Sequence, residues 1–159
     1  MTAIAPPTTA TPATDHYLQP GWFTRNLMNR PIRRLSRLGI RPKGLRELRV
    51  RGRASGEWRT TPVNLLELPT GRYLVSPRGV SQWVRNMRVA GGGELRAGRR
   101  TEAFQATELT DVDAAVPVLR AYLQQWAWEV GAFFDGTGAD ASDDELAAIV
   151  HRHPIFRLS

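Results

Sequence analysis

Between Leu45 and Leu109 short apolar runs alternate with tight turn signals, and this pattern limits the fold more than any other feature. Leu45–Arg53 reads as a strand, Ala54-Ser55-Gly56-Glu57 as a turn, and Trp58–Leu68 as a second strand. Pro69-Thr70-Gly71 is another turn, and Arg72–Ser76 a third strand. Connections this short leave no room for a crossover, so these strands are antiparallel. Along the second strand, Val63 and Leu65 alternate with Asn64 and Leu66. Pro62 has no N–H for a ladder, which puts that strand at an edge or a bulge. Ser81–Ala90 predicts a helix with Val80, Trp83, Val84, Met87 and Ala90 on its apolar side, with Ser81 as a side-chain cap. Gly91-Gly92-Gly93 follows that helix instead of opening one, so it reads as a cap and turn and not as a phosphate loop. Glu94–Ala97 and Arg100–Leu109, joined at Gly98-Arg99, form a further hairpin. Five or more antiparallel strands with one helix inserted mid-sheet predict an α+β domain around a small, partly open barrel.

Thr110-Asp111-Val112-Asp113 predicts a helix start with a capping box. That helix runs to about Val130 and carries Val116, Leu119, Tyr122, Leu123, Trp126 and Val130 at helical spacing, a stripe most simply read as core. A Gly-rich loop, Asp135–Asp140, precedes a short helix over Asp143–Val150. Residues 1–20 are mostly Ala, Pro and Thr and predict a disordered tail, leaving 21–159 as one domain. Residues 22–38 predict an amphipathic helix, interrupted near Pro31, with Trp22, Phe23, Leu27, Ile32, Leu35 and Leu38 opposite a row of arginines. Two readings stay open: a surface helix with a solvated basic side, or a basic helix resting on an anionic membrane. With no membrane-spanning stretch and no signal-like start, the expected location is the cytoplasm, with peripheral membrane contact as the second reading.

The formal charge is +7, unevenly spread: +14 over residues 1–100 and −7 over 101–159. Such a field favours an anionic partner. All the cations but Lys43 are arginines, which suit planar, bidentate contacts to phosphate or carboxylate. The arginines are scattered over several elements and no nucleic-acid motif accompanies them, which argues against a nucleic-acid partner. There is no cysteine, nucleophile elbow or Walker loop, and no catalytic residue set is expected. His151 and His153 stand at a weak metal spacing without Cys or carboxylate partners, so no metal is expected. What remains is anion binding. Arg78 lies just ahead of a helix N-terminus, where a cation opposes the helix dipole. That placement makes sense if an anion sits there too, held by Arg78, nearby serines and backbone N–H groups; the alternative is an arginine pointing into solvent. The hairpin from Arg51 to Pro62 offers a second set of arginines and hydroxyls. If the two converge they hold a large phosphorylated ligand, and a chain without acid–base machinery suits a cofactor that brings its own chemistry.

Several runs together resemble the actinobacterial deazaflavin-dependent nitroreductase family. They are Gly52-Arg53-Ala54-Ser55-Gly56 with Arg59-Thr60-Thr61-Pro62-Val63, then Tyr73-Leu74-Val75-Ser76-Pro77-Arg78-Gly79, then Trp83-Val84-Arg85-Asn86-Met87-Arg88. Gly91 to Gly93 with Leu95, Arg99 and Arg100, and the closing His153-Pro154-Ile155-Phe156-Arg157, complete the likeness over roughly residues 40 to 158. The resemblance implies a split β-barrel with N-terminal and C-terminal helices packed outside. It implies the deazaflavin coenzyme F-420 as cofactor, FMN being the less favoured alternative, and hydride transfer to quinones, nitroaromatics or similar electron-poor small molecules. It further implies that Arg53, Ser55, Gly56, Arg59, Thr61 and Pro62 line the cofactor's phosphate and ring region. Ser76, Arg78, Gly79, Trp83 and Asn86 would complete that site. Tyr122, Trp126 and Trp128 stand in a context unlike the tyrosines that shape the substrate pocket of the family's nitroreductases. The rival reading is a module on the same barrel that holds FMN, haem or a lipid-like molecule without turnover.

Overall fold

The computed structural model describes residues 43–159. The expected tail over 1–20 and the amphipathic helix over 22–38, with Trp22 and Phe23, lie outside the described residues. Six strands carry the fold: β1 (Leu45–Arg51), β2 (Trp58–Leu68), β3 (Gly71–Val75), β4 (Gly92–Ala97), β5 (Arg100–Glu108) and β6 (Ile155–Leu158). Helix α1 (Gln82–Ala90) lies between β3 and β4, and α2 (Val112–Val130) and α3 (Asp143–Val150) lie between β5 and β6. The strands close into a barrel in the order β1-β2-β3-β6-β5-β4, all antiparallel. The α+β split-barrel expectation therefore holds.

The two long strands explain the split. β2 pairs with β1 over Trp58–Asn64 and with β3 over Leu65–Leu68. β5 pairs with β4 over Arg100–Gln105 and with β6 over Ala106–Glu108. Each long strand passes from one half-barrel to the other and turns a corner. Pro62 lies opposite Glu47 in the stretch of β2 that has a strand neighbour on one side only, so its missing N–H breaks no ladder. The sequence pattern marks no strand at the short β6; pairing with β3 and β5, it closes the ring that the turn pattern leaves partly open.

Alternation along the strands feeds two cores. Leu48, Val50, Val63, Leu65, Leu74, Leu95, Phe104, Phe156 and Leu158 point inward, and α1 adds Val84 and Met87 to the same cluster. Leu66, Tyr73, Val75 and Ile155 face the other way, against Leu119, Leu123, Trp126, Phe134 and Leu146 of the helical layer. Burial of each of these large side chains contributes about 1.5–3 kcal/mol. The three glycines after α1 divide their work. Gly91, at φ +69°, caps the helix, its N–H donating to the Met87 carbonyl at 2.8 Å. Gly92 and Gly93 open β4, where an added Cβ would collide with the carbonyl oxygens of Phe104 and Arg49.

Two helix starts differ from the sequence expectation. In α2 the cap is Asp111, not Thr110, and its carboxylate accepts from the Ala114 N–H at 3.2 Å. The complete capping box lies instead at α3: Ser142 accepts from the Glu145 N–H, and the Glu145 carboxylate accepts from the Ser142 N–H at 2.7 Å. Ser81 occupies the N-cap position of α1, but its side chain makes no cap hydrogen bond. Its hydroxyl lies 3.5 Å from Ser76 Oγ instead.

Candidate ligand-binding site

A cavity of about 680 Å³ opens between the β1–β2 hairpin, the loop from β3 into α1, and the C-terminal half of α2. That volume suits a cofactor-sized ligand. Nine residues expected from the resemblance line it: Arg53, Ser55, Arg59, Thr61, Pro62, Ser76, Arg78, Trp83 and Asn86. Gly56 and Gly79 do not line it. They shape the two loops behind it, at φ +69° and +79°. Gly56 donates its N–H to the Gly52 carbonyl at 2.8 Å, and Gly79 offers its carbonyl to Ser76 Oγ at 2.6 Å.

The hairpin wall is tied to α1 through one amide. Asn86 is buried, and its Oδ1 accepts from both the backbone N–H of Arg53 (3.2 Å) and Arg53 Nη1 (3.0 Å). Arg53 Nη1 also donates to Gln82 Oε1 at 2.9 Å. The guanidinium is thus held at the cavity edge instead of sweeping through solvent. Arg59 is more exposed, with a long 3.7 Å contact to Glu57.

Arg78 is half-buried and does not simply point into solvent. Its Nε and Nη2 are shielded from solvent and make no hydrogen bond. The guanidinium carbon lies 5.5 Å from the centre of the Phe133 ring, so an aromatic face forms one side of its surroundings. Leaving charged donors shielded and unpaired costs roughly 1–3 kcal/mol, a cost an anionic ligand would remove. The loop around Arg78 is braced from below. Buried Ser76 takes its backbone partner from Pro154, and the Nδ1 of buried His153 lies 2.9 Å from the Pro77 carbonyl oxygen. The His153 ring also packs on Phe134 at 4.2 Å. Among the described residues no cluster of three or more potential metal ligands forms.

The third wall was not anticipated. Tyr122, Glu129 and Val130 of α2, with Phe133 just after it, line the cavity together with Asn64 of β2. The Asn64 side chain stands close to both Tyr122 and Glu129 and favours their charged forms. Burial raises the Tyr122 hydroxyl far above its ordinary value, Asn64 opposing that rise and the Glu129 charge adding to it. Burial likewise raises the Glu129 carboxyl, with Asn64 working the other way. A signal for this existed: Glu129 is seven residues after Tyr122, two helical turns, which puts a carboxylate on the stripe assigned to core. Of the other aromatics compared with the family's pocket, Trp126 is buried in the helical core and Trp128 is 82% exposed.

No family model matches the chain, and no curated protein matches it. Solved structures do resemble it. An F420-H2 dependent reductase superposes with a TM-score of 0.51 at 15% identity, covering 73% of this chain and 94% of that one. A domain-swapped dimer gives a TM-score of 0.54 at 14% identity, covering 85% and 98%. At such identities the likeness establishes the fold. Among the described residues no helix is long and apolar enough to cross a membrane.

Proposed function

We propose that this chain is an oxidoreductase that uses the reduced deazaflavin coenzyme F-420 to reduce a quinone, nitroaromatic or similar electron-poor small molecule. The observation that carries the reading is Arg78: a half-buried guanidinium whose Nε and Nη2 are shielded and unpartnered, lining a cavity that Arg53 and Arg59 also line. Those residues fit a phosphorylated cofactor, and the barrel shared with an F420-H2 dependent reductase supports the choice of deazaflavin.

Arg78, Arg59 and Arg53 would hold the acidic part of the cofactor, with Ser55 and Thr61 adding hydroxyl contacts. Pro62, Val63 and Trp83 would provide an apolar surface for its ring. When bound, the cofactor supplies the hydride. The protein's part is to position the acceptor beside it and keep water out, which is most of what hydride transfer asks of a protein. Binding at the inner face of a membrane through residues 22–38 is a further part of this proposal.

The test is titration of the purified protein with coenzyme F-420 and separately with FMN, following tryptophan fluorescence, since Trp83 lines the cavity. Saturable quenching by the deazaflavin, followed by oxidation of its reduced form when menadione is added, is expected. Preference for FMN changes the cofactor and keeps the site. Binding of neither by folded protein overturns the reading.

A further inference from the structure

The arginines account for one side of the cavity, and the Asn64–Tyr122–Glu129 group on the other is left without a role in holding an anion. A carboxylate is a poor neighbour for a phosphorylated ligand, and partial burial adds to the cost of keeping it charged. Its place in the fold is well determined, however. Glu129 projects from the last turns of α2, two turns on from Tyr122, whose ring is buried against Trp126 at 5.0 Å and Phe134 at 6.5 Å. Asn64 reaches it from β2, the next strand position after the inward-facing Val63. An amide, a carboxyl and a phenol therefore meet at one cavity wall.

We propose that Glu129, which lines the cavity with Asn64 and Tyr122, is the proton donor to the electron acceptor, and that the acceptor is a molecule whose reduction creates an oxyanion, such as a quinone. This rests on the oxidoreductase reading above. The step balances as follows. A hydride from the reduced deazaflavin, which is oxidised, forms an O–H bond at one carbonyl oxygen of the quinone; the ring π electrons shift and the other C=O π pair moves onto its own oxygen. The Glu129 O–H bond breaks and its proton joins that oxygen. A neutral quinone thus gains a hydride and a proton and becomes a neutral hydroquinone. The carboxylate left behind regains a proton from water. Glu129 suits the task better than Tyr122: burial makes the phenol a much weaker acid, whereas the carboxyl, though burial raises it, remains the stronger acid of the two. The phenol and the amide then orient the acceptor oxygen. The titratable groups facing Glu129 are Tyr122 on its own helix and Arg53, Arg59 and Arg78 from the other cavity walls.

The test compares full-length wild type with Glu129→Gln, Glu129→Asp and Tyr122→Phe, using reduced F-420 and menadione. F-420 binding is read first by tryptophan fluorescence. It is expected to survive in every variant. Failure of the wild type to bind overturns the oxidoreductase reading and this proposal with it. With binding intact, Glu129→Gln should lower kcat by about 100-fold or more. It should also abolish the limb of the wild-type pH profile on which rate falls as pH rises, and Glu129→Asp should restore that limb. Carboxyl-carbon NMR of labelled glutamate supplies a readout independent of turnover: one resonance, missing in Glu129→Gln, should titrate above the ordinary glutamate range. A Glu129→Gln rate within threefold of wild type with the same pH limb overturns the proposal and leaves the oxidoreductase reading standing. So does a Glu129 resonance that titrates in the ordinary range.

Discussion

Replacing Arg78 by Met separates a binding residue from a structural one, because the two roles predict changes of opposite sign. In the protein by itself, Nε and Nη2 of Arg78 are removed from water without a hydrogen bond. Relieving shielded, unpaired charged donors should favour the folded state by about 1–3 kcal/mol. The guanidinium's contact with Phe133 is lost, at about 0.5–1 kcal/mol. Met keeps an unbranched apolar stem of similar length, so little packing is surrendered. The balance is a net stabilisation of about 1 kcal/mol, which for a chain of this size raises Tm by about 2–4 °C. Ligand binding should move the other way. Loss of charge-assisted hydrogen bonds at about 1.5–3 kcal/mol weakens F-420 roughly 10- to 100-fold. Thermal unfolding of the ligand-free protein and fluorescence titration of both proteins give the two numbers. A fall in Tm together with unchanged affinity would show that Arg78 serves the fold, and the anion-site argument would fail.

Three further outcomes are expected. Gly93→Ala sets a Cβ against the Arg49 carbonyl in the β1–β4 ladder, so urea unfolding should show a loss of about 1–3 kcal/mol; wild-type stability would mean that the ladder shifts freely. Ser142→Ala removes the α3 capping box and should cost about 1 kcal/mol. The Glu145 carboxyl is held below its usual range mainly by the Ser142 backbone N–H, so its stabilising contribution is present above the ordinary glutamate value and fades as pH falls through the lowered one. Glu129 has the opposite sign. Its folded value is raised, so its contribution is present below the ordinary glutamate range and is lost as pH rises through the raised value. Glu129→Gln should accordingly flatten the decline of the urea midpoint on that side, and an unchanged decline would place its cause elsewhere.

Much of the cavity lining was legible because it is local. The hairpin residues Arg53, Ser55, Arg59, Thr61 and Pro62 are close in sequence, and so are Ser76, Arg78, Trp83 and Asn86. Each group is delivered by one strand–turn or loop–helix unit, whose shape follows from turn chemistry. The oddity of a cation before a helix start pointed to Arg78 without any tertiary information. The catalytic candidate was not legible in the same way. Tyr122 belongs to a stripe of large apolar residues at helical spacing, and from periodicity a phenol there counts as core. Only the partner across the stripe, Asn64 of β2, shows that this part of α2 borders a cavity. Cap positions erred by a residue or a role for a similar reason. Thr110, Asp111 and Ser81 all have capping side chains, and which one bonds depends on where the preceding strand releases the chain.

The sequence by itself determined the strands and turns from Leu45 to Leu109, their antiparallel sense, the inserted helix and the glycine stop after it. These follow from side-chain period, turn residues and capping, all of which act within a few residues. Tertiary structure alone decided the closure of the barrel and the makeup of the cavity. β6 is four residues long and finds its partners about 50 and 80 residues away, at β5 and β3. No local propensity selects such partners; the match of its buried Ile155, Phe156 and Leu158 to both half-barrels does. The same long-range packing lays α2 against the barrel and brings Glu129 and Asn64 to one cavity wall, while it leaves Nε and Nη2 of Arg78 shielded and unpaired.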